Sequence, residues 1–495
     1  MSSSPRPPCC PPCVLLVVLL VALLVVLFVV IGAGYLQESN GKQGELNTPQ
    51  KVITCQGDSL PLDGDYGILS LPPCIPMGAS WWGLVQSIFT LGGLFGALAS
   101  GPLATKYGRL FTMRLVTLAL FLGPVVTAFA PDISVMTIGR WISGVGAGGA
   151  TVVCPIYVAE VSPPAQRGLF GAFTQVMINF GILVAQLLGY FLSRNSLWRI
   201  IFVAVGLIAV LTFAGLVFCP ETPKWLAKNH RPHMARRILR QIRGHDADIR
   251  AEMQDWDLSG EQEEESLLRP PPSEPRPHKE SGASFFDVVR IRKYRLAVIG
   301  VAATMMAQQL CGINSVVMYS VAILEEIMPS AAALVTVMVS AINVLVTLAC
   351  APLADKIGRK PCLLLSIAGM GINTIFLAVG LSQDRSSLTV IGLLLFVCSF
   401  GLGLGPVPFV LASELVGPEA VGATSSWALA CNWLSTFCVA QFFPMLNAAL
   451  PRGQVYWLFT AVALVFGAFI AWWIPESKGR ANADEVWSRG RGSQA

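Results

Sequence analysis

Charged residues are scarce. Asp, Glu, Lys and Arg make up 13% of the 495 residues, whereas 54% are hydrophobic. A soluble domain carries roughly a quarter of its residues charged, so water is not the solvent for most of this surface. Histidine is rarer still, with four copies at 230, 233, 245 and 278. All four fall in one polar stretch, away from the apolar runs. The thirteen cysteines show no metal-ligand spacing. No glycine-rich phosphate-binding loop is present, so nucleotide-driven work has no support. The expectation is a chain with no metal, no cofactor, no enzymatic activity and no nucleic-acid partner.

What is present is a series of apolar runs of about 20 residues, each long enough to cross a bilayer core of about 30 Å. Twelve spans can be drawn, at 14–36, 81–103, 111–130, 134–158, 168–192, 198–218, 296–324, 331–350, 361–381, 388–412, 421–443 and 455–474. Backbone polar groups in hydrocarbon need internal partners, so each span is expected to be a helix. The first, with its uniform run at 14–31, is too long for a typical signal peptide and lacks a convincing cleavage site. The class is an all-α membrane protein whose main non-protein partner is the lipid bilayer.

The longest polar stretch, 220–295, holds 15 of the 34 Lys and Arg residues. Positive charge marks the cytoplasmic side. Six spans lie on each side of this stretch, so both termini are expected in the cytoplasm. The tail agrees, with Lys478, Arg480, Arg489 and Arg491. The chain divides into a six-helix bundle at 1–219, a cytoplasmic linker at 220–295, a second six-helix bundle at 296–475 and a tail at 476–495. Within the linker, 233–244 has a basic amphipathic pattern, and 259–284 is acidic and then Pro-rich, as flexible linkers are. Glu263, Leu267 and Leu268 belong to EEESLL, which fits an acidic dileucine signal read by a sorting adaptor. Cys55 and Cys74 share one polar loop and are candidates for a disulfide if that loop faces an oxidising side.

The chain repeats itself. Residues 101–110 read GPLATKYGRL and residues 351–360 read APLADKIGRK. Both follow the second span of their half, and transporters built from repeated bundles place their site between the repeats. The motif is a tight turn whose Arg can pair with an acid on a neighbouring helix. Candidate acids are Glu160 and Glu414. Such pairs are expected to latch the two halves at the cytoplasmic gate. The competing reading is that the basic residues anchor helix ends. In the seventh span Gln308, Gln309 and Asn314 interrupt an otherwise apolar run. Carboxamides donate and accept together, as sugar hydroxyls do. The bland alternative is glue between helices.

Together these residues resemble the sugar porter family of the major facilitator superfamily, over nearly the whole chain after about residue 44. The resemblance is carried by GELNTPQ (44–50), GRWISGVGAGG (139–149), PIYVAEVSPPAQRG (155–168), PETPKWL (220–226), QQLCGINSVVMYS (308–320), ADKIGRK (354–360), GPVPF (405–409) and PESKGR (475–480). It is strongest to fungal hexose transporters, including a vacuolar branch, and to animal glucose facilitators. It implies the major facilitator fold, with twelve helices in two bundles and a helical linker. It also implies a hexose carried by alternating access, in a monomer, across the plasma or vacuolar membrane. By the same resemblance Gln175, Gln186, Asn343, Asn432 and Trp433 join Gln308, Gln309 and Asn314 around the sugar. Tyr319, Gly405, Pro406 and Pro408 look like gating residues. Arg109, Arg140, Glu160, Arg167, Asp355, Arg359 and Glu414 look like the cytoplasmic latch.

Several positions depart from the family pattern. Thr105 stands for an Asp, Val421 for an Arg, Gly401 for an acid and Phe409 for a Trp. The latch is therefore expected to be stronger in the amino-terminal half, apart from Thr105. The polar stretch at 36–43 separates Gly34–Tyr35 from GELNTPQ, which the family keeps close together. Leu36 follows Tyr35 where proton-linked members carry an Asp opposite the position of Arg140. Facilitated diffusion is favoured on that ground. Proton symport, a polyol substrate and a non-transporting sensor are the alternatives. Sensors of this family carry long tails, unlike the short one here.

Overall fold

The computed structural model describes residues 53, 55, 71–72, 74–163, 167–192, 198–229, 231–244, 249, 252–253, 287–317, 332–350, 352–417 and 420–478. The first expected span, the polar stretch at 36–43, Tyr319 and the dileucine residues Glu263, Leu267 and Leu268 lie outside these. So do the side chains of Arg167 and Asp355.

The other eleven expected spans are helical where described. The first half contains α1 (Ala79–Tyr107), α2 (Arg109–Ala128), α3 (Ile133–Val161), α4 (Arg167–Leu192) and α5 (Trp198–Phe218). The linker contributes α6 (Pro223–Lys228), α7 (Pro232–Arg243) and the single turn α8 (Asp287–Arg290). The second half contains α9 (Arg292–Leu310), α10 (Ala332–Cys350), α11 (Leu353–Ile357), α12 (Arg359–Ser382), α13 (Ser386–Leu402), α14 (Val407–Glu414), α15 (Val421–Ala449) and α16 (Val455–Trp473). Among the described residues, nine helices are long and apolar enough to cross a membrane. Two shorter apolar helices, Thr174–Leu188 and Leu334–Cys350, occupy the remaining places. Large apolar side chains such as Phe218, Leu464, Val465 and Trp472 are exposed. On a chain this poor in charge, that surface belongs to lipid.

Local signals account for the helix boundaries. Asp132 caps α3 by accepting the Val135 N–H at 2.9 Å. Pro223 and Pro232 open α6 and α7, where a missing N–H costs nothing. The α7 helix buries Ala235, Leu239 and Ile242. Its Arg243 ties it to the end of α3 through the carbonyls of Val161 and Ser162, at 2.8 and 3.1 Å. Gly108 and Gly358 each have φ above +100° (105° and 116°), which breaks the chain between α1 and α2 and between α11 and α12.

Two spans are not continuous helices. The seventh expected span runs as α9, breaks at Cys311–Gly312, and resumes over 313–317. The tenth breaks between α13 and α14 at Gly403–Pro406. Freed backbone at membrane depth is tolerated only where protein or a cavity satisfies it, so both breaks mark the interior. The halves meet along two pairs of helices, α1 against α15 and α4 against α10. The repeat makes these equivalent, because α1 and α10 are the second helices of their halves.

Candidate functional site

The broken seventh span brings its carboxamides together. Gln308 donates through Nε2 to the carbonyls of Leu404 and Gly405, both at 3.0 Å. These are the backbone groups released by the break before α14. Gln308 Oε1 accepts from Asn432 Nδ2 at 2.8 Å and from Gln309 Nε2 at 3.3 Å. Gln309 Nε2 also donates to Asn432 Oδ1 at 3.1 Å. Asn314 Nδ2 donates to Gln309 Oε1. Asn432 Nδ2 further reaches the Met305 carbonyl at 2.9 Å. Gln308 thus has every donor and acceptor engaged, and in this state it holds the helix break. The continuous helix expected for the seventh span is interrupted by Gly312, whose φ of 99° turns the chain so that Asn314 faces back onto Gln309.

The opposite half supplies α4. Gln175 Nε2 donates to Asn179 Oδ1 at 2.9 Å. Asn179 Nδ2 crosses to α10, donating to Asn343 Oδ1 at 3.2 Å and Thr347 Oγ1 at 2.8 Å. Farther along, Ser340 donates to Gln186 Oε1. Gln175, Gln186 and Asn343 are expected site residues, and the structure joins them through Asn179, Ser340 and Thr347, which the sequence reading missed. A signal was available: Asn179 lies one turn from Gln175, and 340, 343 and 347 fall at helical spacing on α10.

Gly405 links the two clusters. Its carbonyl binds Gln308, and a Cβ on it would lie 3.3 Å from Gln175 Cγ. Trp433 is buried and packs edge-on to Phe89, with ring centroids 6.0 Å apart. Its indole also covers Gly93, where an added Cβ would sit 2.5 Å from the ring. From there toward the basic end, α1 stays against α15, with Gly101 at Ser426 and Thr105 near Gly422. Pro406 and Pro408 flank the start of α14.

At the basic end four contacts recur in both halves. Arg109 Nη2 pairs with Glu160 Oε1 at 2.8 Å, and Arg359 Nη2 pairs with Glu414 Oε1 at 2.8 Å. Arg109 Nη1 binds the Ala104 carbonyl at 3.1 Å, and Arg359 Nη1 binds that of Ala354 at 3.2 Å. Thr222 donates to Glu160 Oε2 at 2.7 Å, and Ser477 to Glu414 Oε2 at 2.6 Å. Glu221 accepts the N–H groups of Arg109 and Leu110, and Glu476 those of Arg359 and Lys360. Burial raises the Glu221 carboxyl above its ordinary value, against the pull of these N–H groups and of Arg109.

Two expectations change here. Each ion pair closes within its own half, α2 to α3 and α12 to α14, and neither bridges the halves. Of the two Arg–Glu pairs alone the fuller is the carboxy-terminal one, because Arg359 Nε also reaches both Glu414 oxygens, at 3.2 and 3.1 Å. Arg109 Nε has no such partner. Arg140 is not at this end at all. It lies 20 residues before Glu160 on the same helix, which at 1.5 Å per residue is about 30 Å away. There its Nη2 donates to Gln86 Oε1 at 3.1 Å, and its guanidinium lies over the Phe89 ring at 4.7 Å.

The opposite end carries Cys55 and Cys74, joined as a disulfide. Beside them Ile53, Ile75, Met77, Val85, Trp198 and Phe202 form a small apolar cluster. Arg199 fastens it by donating to the carbonyls of Pro72, Ala128 and Ala130. No group of three or more metal-binding side chains occurs among the described residues.

Known proteins are similar to this chain over most of its length. The family model described as "Sugar (and other) transporter" matches residues 22–486. A Saccharomyces cerevisiae protein named "Probable metabolite transport protein" is 32% identical over 451 residues, covering 90% of this chain and 91% of that protein. The facilitated glucose transporter member 3 of Ovis aries is 30% identical over 420 residues, covering 83% and 82%. The proton:xylose symporter XylE, solved with 6-bromo-6-deoxy-D-glucose, superposes with a TM-score of 0.77 at 23% identity, covering 97% and 100%. That likeness gives the fold, twelve helices in two bundles. This integral, multi-pass membrane protein, a transporter and not an enzyme, belongs to the sugar porter family of the major facilitator superfamily.

Proposed function

We propose that the chain carries a hexose across its membrane by facilitated diffusion, with the two halves exposing a midplane site alternately to either side. One observation carries the reading: two clusters of uncharged carboxamides, Gln175 and Asn343 across the α4–α10 seam and Gln308, Gln309, Asn314 and Asn432 between α9 and α15, meet at Gly405 through Gln175 and Gln308. Neutral amides match a neutral polyhydroxylated ligand without the larger cost of a charge in the membrane. Trp433 offers an apolar wall for the C–H face of a pyranose ring. The site as described is closed toward the basic end by α1 and α15, which suits one end state of such a cycle.

The choice of facilitated diffusion rests on Leu36, where an Asp would serve a proton. The orientation follows from the basic linker, which puts the ion-paired end in the cytoplasm and the Cys55–Cys74 end on the oxidising side. The membrane is the plasma membrane or, given the dileucine sequence, the vacuolar membrane. Uptake of labelled hexoses and polyols into proteoliposomes tests the substrate. Equilibration unaffected by a protonophore supports facilitated diffusion, and accumulation abolished by it overturns that choice. Relocation of a Leu267→Ala, Leu268→Ala variant tests the sorting signal.

A further inference from the structure

The two amides proposed as ligands on the α4–α10 seam are not left to rotate independently. Gln175 spends an N–H on Asn179, so its Oε1 remains the acceptor it presents elsewhere. Asn343 receives two hydrogen bonds at Oδ1, from Asn179 at 3.2 Å and from Thr347 at 3.3 Å, so its Nδ2 remains the donor. Asn179 does both jobs at once, with its oxygen on Gln175 and its Nδ2 on Asn343 and Thr347. Its side chain is 1% exposed, and it sits at the contact between the two halves. Thr347 is backed on its far side by Gly401, where an added Cβ would lie 2.9 Å from the hydroxyl. A larger residue there would push Thr347 toward Asn179.

We propose that Asn179 is a positioning residue for substrate selection: it ties the amide orientations of Gln175 and Asn343 to each other, so that one half presents an acceptor while the other presents a donor to the hydroxyls of the sugar. The inference rests on the sugar reading above and assigns it a polarity. A site that pairs a particular hydroxyl rejects the analogue lacking it, because its own polar group is left unpaired. Freed from Asn179, each amide can turn over to suit either partner, and that discrimination fades.

The test is uptake by the full-length protein in proteoliposomes, over a panel of hexoses, their epimers and monodeoxy analogues, for wild type and Asn179→Val. The expected result is a five- to tenfold rise in KM, on the order of one lost hydrogen bond or two. The maximal rate should stay within about twofold, and discrimination between the parent sugar and its least favoured deoxy analogue should drop about fivefold. An Asn serving only as glue between helices contributes about 1 kcal/mol to stability, and its loss lowers the melting temperature without altering that ratio. Unchanged KM and unchanged discrimination in a folded Asn179→Val protein overturn the proposal. Should that variant yield no protein, the near-isosteric Thr347→Val, which removes one donor to Asn343 and one partner of Asn179, is read in the same assay. It should move both quantities in the same direction by a smaller factor, and no movement overturns the proposal equally. A wild type that takes up no sugar on the panel sinks the sugar reading itself, before any variant is made.

Discussion

Glu221 and Glu476 occupy the same place in the two halves. Each lies just past the last helix of its half and reaches back to the N-terminus of the third, accepting two backbone N–H groups there. Helix starts have orphan N–H donors and a positive dipole end. The turn glycines Gly108 and Gly358 have no side chain to cap with, so a carboxylate from a distant segment does so.

Removing that carboxylate should cost about 1–2 kcal/mol in either half, the range for loss of a helix cap. Glu221→Ala and Glu476→Ala are each expected to lower the melting temperature in detergent by a few degrees, measured by tryptophan fluorescence. Equal melting in both variants and wild type would show that water caps these helices as well.

The Glu221 carboxyl gives a pH prediction of definite sign. Burial raises its folded value above the unfolded one. Its neutral form is therefore relatively favoured by folding. The associated stability is fully present below the unfolded value and is lost as pH rises through the raised one. Glu221→Gln has no such titration. Wild type should gain on this variant as pH falls from neutral through the raised value. Near neutral pH, Glu221→Gln should melt closer to wild type than Glu221→Ala does. A wild-type advantage that shrinks on acidification would contradict the assignment.

The fold was legible in the sequence because membrane helices need only length and apolarity, and the repeat at 101–110 and 351–360 announced the halves. The carboxamide positions were legible for a related reason, since Gln308 or Asn432 in an apolar run has few uses. What the sequence hid was the partner of each group. Thr222 and Ser477 look like ordinary turn residues until Glu160 and Glu414 are seen beneath their hydroxyls. Arg140 has the look of a latch residue, but its place on α3 depends on which end of the helix it enters. Asn179 is inconspicuous beside Gln175, because its role depends on α10, a helix of the other half.

The two ion pairs predict an asymmetric response. Arg359 holds Glu414 through Nε and Nη2, whereas Arg109 holds Glu160 through Nη2 alone. Hydrogen bonds to charged groups contribute about 1.5–3 kcal/mol each. Arg359→Ala should therefore slow net uptake more than Arg109→Ala, by roughly tenfold against a few-fold. Because each pair lies within one half, the double variant should show the two losses multiplied. A pair bridging the halves would give non-additive losses, so the double-variant cycle read as initial uptake rates decides between them.

Gln308 holds the break before α14 with both of its N–H donors, so its replacement should alter both structure and binding. Gln308→Leu leaves the Leu404 and Gly405 carbonyls buried without a donor, a cost of about 1–3 kcal/mol. Gln309→Leu removes bonds only to other carboxamides. The expected outcome is a clear fall in melting temperature for Gln308→Leu and little for Gln309→Leu, with KM for hexose raised in both. If Gln308→Leu raised KM with no loss of stability, water would have to satisfy the break, and the amide would be a ligand alone.

The disulfide end offers the last prediction. The bond between Cys55 and Cys74 closes a loop with a sequence separation of 19 residues, and a loop of that size contributes about 3 kcal/mol in the chain-entropy view. The ends of the loop are also held without the disulfide, because Ile75 donates its N–H to the Ile53 carbonyl at 2.8 Å and Arg199 clamps the Pro72 carbonyl to the C-terminal end of α2. Arg199 lies over the ring of Trp198 at 4.4 Å, so its guanidinium is fixed before it binds. Reduction, or Cys55→Ser, should lower the melting temperature while leaving the loop in place and uptake nearly intact. Arg199→Met should cost more, since it strands three carbonyls at a buried corner. Combining Arg199→Met with reduction should release the anchored ends of the loop, and limited proteolysis at residues 71–75 is the measurement that shows it. Protease resistance in the doubly weakened protein would mean that the apolar cluster of Ile53, Ile75 and Met77 suffices to hold this end closed.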